Sequence, residues 1–146
     1  MEVFFRKATL QDAERLAHLA SQLGYPTEKA QMHGRLHEVL NRDDNFVLVA
    51  TAQKTIIGWV HAFVSLRIES DSFTEIGGMV VDEHHRQNGI GRLMLAEVCK
   101  WALSKNCFSV RVRSNSKRSA AHNFYVKNGF LSIKEQKVFS YNLANS

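Results

Sequence analysis

The residues best suited to chemistry form a turn rich in glycine and arginine, placed between an apolar run and a helical pattern. The turn consists of Arg86, Gln87, Asn88, Gly89, Ile90, Gly91 and Arg92. The first amides of a helix lack partners within it and lie at the positive end of its dipole, so they can bind anions. Gly89 and Gly91 permit close approach to those amides, and Arg86 and Arg92 add positive charge. The turn predicts a site for a diphosphate-bearing cofactor; an ordinary strand-to-helix turn that merely uses glycine is the alternative.

A strand and a helix must hold this turn in place. The apolar run before it predicts a strand that begins at Phe73 and contains the glycine pair Gly77-Gly78. Apolar residues at helical spacing predict a helix that follows Gly89; they are Ile90, Leu93, Met94, Val98, Trp101 and Ala102. A glycine pair inside a strand is typical of a bulge or of close backbone approach, and plain punctuation of the strand is the alternative.

The rest of the chain predicts a mixed α/β sheet. Further strands are expected at residues 3–5, 46–52, 55–68, 108–113, 130–133 and 137–141. Helices are expected after Thr9, which can form a capping box with Asp12, from Pro26 onward, and over residues 117–128. With 146 residues, no internal repeat and no linker, the chain is expected to be one domain over residues 1–146.

Composition narrows the class of protein. The net charge is +5, but the positive charge is scattered and follows no nucleic-acid-binding pattern. No apolar stretch reaches about 18 residues, so no membrane span is expected, and the start does not resemble a signal peptide. The two cysteines have no metal or redox spacing and suit a reducing cytoplasm. His33 and His37 have metal-ligand spacing but lack a third ligand, so no metal is expected.

The glycine-rich turn and a second motif resemble one family. Residues 86–91 are similar to the R/Q-x-x-G-x-G/A signature of the GNAT N-acetyltransferases, and they follow a strand as that signature does. Residues 114–115, 121–125 and 129–130 resemble the family's N…A-x-x-F-Y…G-F/Y motif. The resemblance implies the GNAT fold, a mixed and mainly antiparallel twisted sheet of about seven strands, flanked by about four helices, with a splayed central strand pair.

The resemblance also implies a cofactor, acetyl-CoA, which leaves as CoA. The pantetheine arm would lie in the gap between the strands at residues 75–81 and 108–113, where it would pair with backbone as an added strand does. The implied cofactor-binding residues are those of the turn, 86–92, together with Met79, Val80, Val81, Asn115 and Tyr125. For Asn115 the alternative is a residue that merely forms a turn.

Acetyl transfer needs a neutral amine, a stabilised oxyanion and a proton for the departing thiolate. The resemblance implies that a backbone amide near Val80 holds the oxyanion and that Tyr125 protonates the sulfur. The resemblance also places Glu75 at the strand position where the family has a carboxylate that deprotonates the amine, usually through water. His61 is a rival base, because histidine titrates near neutral pH, and the absence of a dedicated base is a third hypothesis. For Tyr125 the alternative is a ring packed in the core beside Phe124.

The sequence therefore predicts an enzyme, an acetyl-CoA-dependent N-acetyltransferase whose primary amine attacks the thioester directly. Residues 114–118, 121–122 and 139–143 look most like small-molecule members, including aminoglycoside and aminoalkylphosphonate acetyltransferases. Acetylation of protein N-termini or lysines is the near alternative. A catalytically silent acyl-CoA sensor and a basic nucleic-acid-binding module are alternatives of other classes. The expected partner is a small-molecule amine, and a homodimer, common in the family, stays open.

Overall fold

The computed structural model describes residues 1–114 and 118–145 of the chain. The chain forms two compact units, Met1–Arg113 and Ser114–Ser146. Within the described ranges no helix is long and apolar enough to cross a membrane. The expectation of a single domain over residues 1–146 stays a prediction.

The first unit contains one sheet, whose strands lie side by side in chain order. In the described part of the chain they are β1 (Phe4–Lys7), β2 (Asn45–Ala52), β3 (Thr55–Ser65), β4 (Phe73–Val81) and β5 (Val110–Val112). The first three strand pairs are antiparallel, whereas β4 and β5 run parallel. Gln53 and Lys54 join β2 to β3 with φ angles of 51° and 66°, which match the twist of a tight hairpin. The parallel pair instead requires a crossover, and a helix supplies it.

Four α-helices accompany these strands among the described residues: α1 (Ala13–Ser21), α2 (Lys29–Leu40), α3 (Ile90–Ser104) and α4 (Ser119–Lys127). The predicted capping box is confirmed, since the amide of Thr9 donates to Asp12 Oδ2 at 2.8 Å. A short 3-10 turn, Leu10–Asp12, lies between that cap and α1. The prediction that the second helix begins at Pro26 is wrong, because a capping box formed by Glu28 and Gln31 starts the helix later.

Helices cover both faces of the sheet. Apolar residues of α1 and α2 form a buried cluster with β2 and β4; they include Leu16, Leu19, Leu36, Val49 and Val80. Trp59 packs against this cluster. Its neighbour Gly58 points to the opposite face, where an added Cβ would lie 3.4 Å from Met94 Cε. The first two helices therefore pack on one face and α3 packs on the other.

The two closing strands predicted at residues 130–133 and 137–141 are wrong, because none of these residues belongs to a strand. Their apolar side chains are largely exposed, for example Leu131 at 84% and Phe139 at 88%. Alternating apolar residues favour a strand, but a strand forms only where another strand supplies hydrogen bonds. The sheet of the described residues thus has five strands instead of about seven. Residues 66–68, also predicted as strand, lie beyond the end of β3.

Candidate active site

The central strand, β4, has one open edge. It pairs with β3 from Phe73 to Val81, but with β5 only over residues 74–76. Beyond Ile76, no strand in the described part of the chain covers this second edge. This is the splayed strand pair that the family resemblance implied.

The peptide groups on this open edge belong to alternate residues. The amide of Asp82 donates to the carbonyl of Ile57 at 2.8 Å, so the backbone N–H of Asp82 faces the β3 side of β4. Because peptide groups alternate along a strand, Val80 also faces β3, whereas Met79 and Val81 face the open edge. An extended ligand lying along the edge would find the amides of both residues as donors and the carbonyl of Met79 as an acceptor, while the carbonyl of Val81 already accepts a hydrogen bond from Arg86 Nε.

The glycine pair of β4 forms the bulge that its sequence indicated. The register between β3 and β4 shifts here, so that Gly77 has no partner residue of its own. A Cβ added to Gly77 would lie 2.9 Å from His61 Nδ1, and one added to Gly78 would lie 3.1 Å from Trp59 Cη2. Side chains of β3 therefore approach the β4 backbone so closely that only glycine fits without moving a ring.

The glycine-rich turn presents the free amides of α3. The helix begins at Ile90, as predicted, and Gly89 precedes it with φ of 78°. A Cβ on Gly89 would meet no atom closer than Arg92 Nη2 at 3.7 Å, so the space in front of the first turn is open. Gln87 also has a positive φ, 67°, which is uncommon for a residue with a side chain. The side chains of Gln87 and Asn88 are exposed, whereas that of Ile90 is buried.

The two arginines of the turn differ in their surroundings. Arg86 Nε donates to the carbonyl of Val81 at 3.2 Å, which ties its side chain to the open end of β4. Arg92, one residue after Gly91 in the first turn of α3, is exposed. Both are guanidinium groups, which can bind two oxygens of a phosphate at once, as a diphosphate site needs.

Sequence reasoning missed a hydrogen-bond network beneath the turn. The buried carboxylate of Asp82 accepts hydrogen bonds from Gln22 Nε2 at 2.9 Å and from His85 Nδ1 at 2.7 Å. Gln22 Oε1 accepts the amide of Glu83 at 3.0 Å. Burial alone would raise the pKa of Asp82, but the bonds from Gln22 and His85 hold that pKa below its ordinary value. Because Gln22 and Asp82 lie 60 residues apart, no local pattern signals this contact.

Tyr125 lies on α4 in the second unit. Its ring is half-buried between Phe124, at a centroid distance of 5.3 Å, and Phe130, at 5.4 Å. Burial raises the pKa of the Tyr125 phenol, so it keeps its proton at neutral pH. Asn115, the other predicted residue of this motif, lies outside the described residues.

The two candidate bases differ in their partners. Glu75 Oε1 lies 3.4 Å from Arg113 Nε, and the Glu75 side chain is 16% exposed. His61 Nε2 lies 2.8 Å from Asn45 Oδ1, and burial lowers the pKa of His61. Neither partner was foreseen, because each depends on which residues the strands bring side by side.

The described residues hold no cluster of three or more His, Cys, Asp or Glu side chains that could bind a metal. His33 and His37, which have metal-ligand spacing, are both exposed on α2.

A strand edge open to an extended ligand, next to a helix terminus that can hold a diphosphate, suits a cofactor that joins a diphosphate to an extended arm, as coenzyme A does. The sequence model of the acetyltransferase (GNAT) family matches residues 10–130. The chain belongs to this family: it is an acetyltransferase, and acetyl-CoA is its co-substrate.

Solved structures share the fold. A GNAT family acetyltransferase of Staphylococcus aureus is 24% identical, with a TM-score of 0.80 over 97% of this chain and 100% of that one. The aminoglycoside 6'-N-acetyltransferase AAC(6')-IG from Acinetobacter haemolyticus is 17% identical, with a TM-score of 0.86 over 96% and 99%. AAC(6')-Iy, in complex with a bisubstrate analogue, is 18% identical, with a TM-score of 0.86 over 97% and 99%. A search of curated proteins finds no match.

The turn can be tested with Gly89→Val. The branched side chain would fill the open space before the first-turn amides, so acetyl-CoA affinity should fall at least tenfold, about 1.4 kcal/mol. Gly24→Val is a matched control, because Gly24 has a similar φ, 84°, and open space around it. Calorimetric titration of both folded variants checks this. Equal affinities would contradict the diphosphate site.

Proposed function

We propose that the chain transfers the acetyl group of acetyl-CoA to a primary amine of a small molecule. The observation that carries this proposal is the open edge of β4, which runs from the glycine-rich turn to the bulge at Gly77. With its diphosphate at the turn, a pantetheine arm paired with Val81 and then Met79 would bring the thioester toward that bulge. Direct attack of the amine on the thioester is part of the proposal; of the two cysteines, Cys99 lies on α3 and Cys107 is buried after it.

The proposed roles of the backbone follow from the strand. A backbone amide near Val80 holds the oxyanion of the tetrahedral intermediate, and the amides that face the open edge are those of Met79 and Val81. Fixed amides suit this role because they need not reorganise as negative charge develops. Asn115 binds the pantetheine arm, as the second motif implies.

Tyr125 is the proposed proton donor to the departing thiolate. The phenol carries its proton at neutral pH, as a donor must, although burial raises its pKa and so makes it a weaker acid. Its match to the tyrosine of the family's second motif is the other support. The packing against Phe124 and Phe130 would hold the ring in one orientation.

Glu75 is the proposed contact for the acceptor's ammonium group. It lies on β4 two residues before the bulge, and its carboxylate remains partly accessible beside Arg113. The carboxylate oxygens can accept hydrogen bonds from an ammonium group, although Arg113 already compensates part of their charge. The sequence also predicted Glu75 as the base, and the experiment below separates the two roles.

The acceptor class is supported by the neighbours of known chemistry. AAC(6')-IG and AAC(6')-Iy are named as aminoglycoside acetyltransferases, and both share this fold at 17% and 18% identity. We extend to this chain only the class, a small molecule with a primary amine. The two free cysteines support placement in a reducing cytoplasm, and a homodimer remains part of the proposal.

A screen tests the proposed function directly. The wild-type protein is incubated with acetyl-CoA and one acceptor at a time: neamine, spermidine, 2-aminoethylphosphonate or a peptide with a free N-terminus. We expect thiol release together with an acetylated small amine, detected by mass spectrometry. Acetylation of the peptide alone would favour a protein acetyltransferase. Binding of acetyl-CoA without any acetylated product would instead indicate a sensor.

Tyr125→Phe tests the proton donor. The change keeps the ring and its packing but removes the proton, so kcat should fall by roughly 10²-fold with unchanged acetyl-CoA affinity. Phe124→Leu is the packing control, because it alters the neighbouring ring contact without touching the hydroxyl. If Tyr125→Phe retains the wild-type kcat, the residue only packs.

Glu75→Gln tests the carboxylate. If Glu75 attracts the ammonium, the neutral amide should raise KM for the amine several-fold with little change in kcat. The acidic limb of the pH–rate profile should then remain. Loss of that limb together with a large fall in kcat would show instead that Glu75 takes the proton. Steady-state kinetics from low to high pH decide between the two.

A further inference from the structure

We propose that His61 is the group that takes the proton from the acceptor's ammonium, and that Asn45 and Asp44 hold it in the tautomer that this requires. The proposal rests on the proposed function, because it concerns the same amine. It does not depend on the identity of the acceptor.

The direction of the hydrogen bonds that link Asp44, Asn45 and His61 determines which ring nitrogen of His61 carries the proton. Asp44 accepts hydrogen bonds from Arg42 Nε at 3.1 Å and from Arg42 Nη2 at 3.2 Å. This bonding to Arg42 holds the pKa of Asp44 below its ordinary value. An ionised carboxylate can only accept, so Asn45 must present its amide nitrogen to Asp44, at 2.9 Å. The oxygen of Asn45 then faces His61 Nε2 at 2.8 Å. His61 must donate from Nε2, and in the neutral ring Nδ1 is left as an acceptor.

That acceptor lies at the bulge of β4. A Cβ on Gly77 would come within 2.9 Å of His61 Nδ1, so the nitrogen faces the backbone of this exposed glycine. No hydrogen-bond partner of Nδ1 occurs among the described residues. The fully buried side-chain atoms without a partner there are Trp59 Nε1 and Thr74 Oγ1, so His61 Nδ1 is not completely enclosed. A nitrogen that can accept a proton therefore lies beside the bulge toward which the thioester of the proposed function would extend.

The surroundings of His61 favour its neutral form. The α2 residues that pack against the neighbouring core are apolar: Met32, Leu36, Val39 and Leu40. The ring lies 5.5 Å from that of Phe63 on its own strand. The charged groups nearby are Arg42 and Asp44 before β2, which bind each other, and Glu75 on β4, which pairs with Arg113. Burial lowers the pKa of His61, so the ring remains a proton acceptor at neutral pH.

The proton balance is simple. Nδ1 takes one proton from the ammonium, directly or through one water, and the neutral amine attacks the thioester carbon. A C–N bond forms and the C–S bond breaks; the thiolate takes a proton from Tyr125, and the attacking nitrogen loses its second proton, which restores the phenol. His61 then returns its proton to solvent. The net products are an amide, CoA thiol and one proton.

Kinetics of three variants test the assignment, with acetyl-CoA and whichever of neamine, spermidine or 2-aminoethylphosphonate the wild type acetylates fastest. His61→Gln, which can still hydrogen-bond to Asn45, should lower kcat/KM about 10²-fold and replace the acidic limb set by His61 with one set by the ionisation of the amine itself. Asn45→Asp should move that limb up by about one pH unit or more, because a carboxylate beside Nε2 favours the charged ring. Glu75→Gln should keep the limb in place. Acetyl-CoA affinity should be unchanged in all three.

Nitrogen NMR of the imidazole separates this inference from the proposed function. In wild-type protein labelled with ¹⁵N-histidine, we expect His61 to carry its proton on Nε2, with Nδ1 unprotonated at neutral pH. A proton on Nδ1 would overturn the assignment whatever the kinetics show. An acidic limb unmoved in Asn45→Asp, with the His61 titration itself shifted, would also overturn it. A wild type that acetylates no amine would overturn the proposed function, while the tautomer would still be measured.

Discussion

Unpaired peptide groups along one edge of β4 are the constraint on which the site depends. Backbone donors and acceptors require partners, and beyond Ile76 this edge offers them to whatever lies beside it. The edge is open because β5 pairs with residues 74–76 only, and β5 runs parallel to β4, so the chain reaches it through a crossover. The crossover helix, α3, must start where β4 ends. The free amides of its first turn therefore lie at the end of the open edge, and one ligand can use both.

The turn between β4 and α3 is held by contacts from another element. Gln22, next to the end of α1, binds both the buried carboxylate of Asp82 and the amide of Glu83. His85 binds the same carboxylate from within the turn. A turn with two left-handed residues, Gln87 and Gly89, has an open backbone that such contacts keep in one conformation. The first helix thus supports the anion site although none of its residues belongs to it.

The bulge has a different effect, on the face covered by α1 and α2. By inserting Gly77 into β4, it leaves a position without a side chain directly beside His61. A chain of hydrogen bonds from the other side of the ring ends at Asp44, an acceptor with a fixed charge. The hydrogen bond from Nε2 to Asn45 therefore fixes the orientation of the His61 ring, while Nδ1 lies beside a glycine, which has no side chain to cover it. Both conditions together are what the base proposed at His61 requires.

The sequence by itself determined the local features, since capping, helical spacing and glycine placement act over a few residues. The cap at Thr9, the helix start at Ile90 and the bulge at Gly77 were all predictable in this way. Two strands predicted beyond Gly129 are absent, because alternation says nothing about the partner that a strand needs. Only the tertiary structure decided which polar groups meet: Arg113 with Glu75, Gln22 with Asp82, and Asn45 with His61. Such pairs depend on strand register and on helix docking, which bring together residues that no local pattern connects.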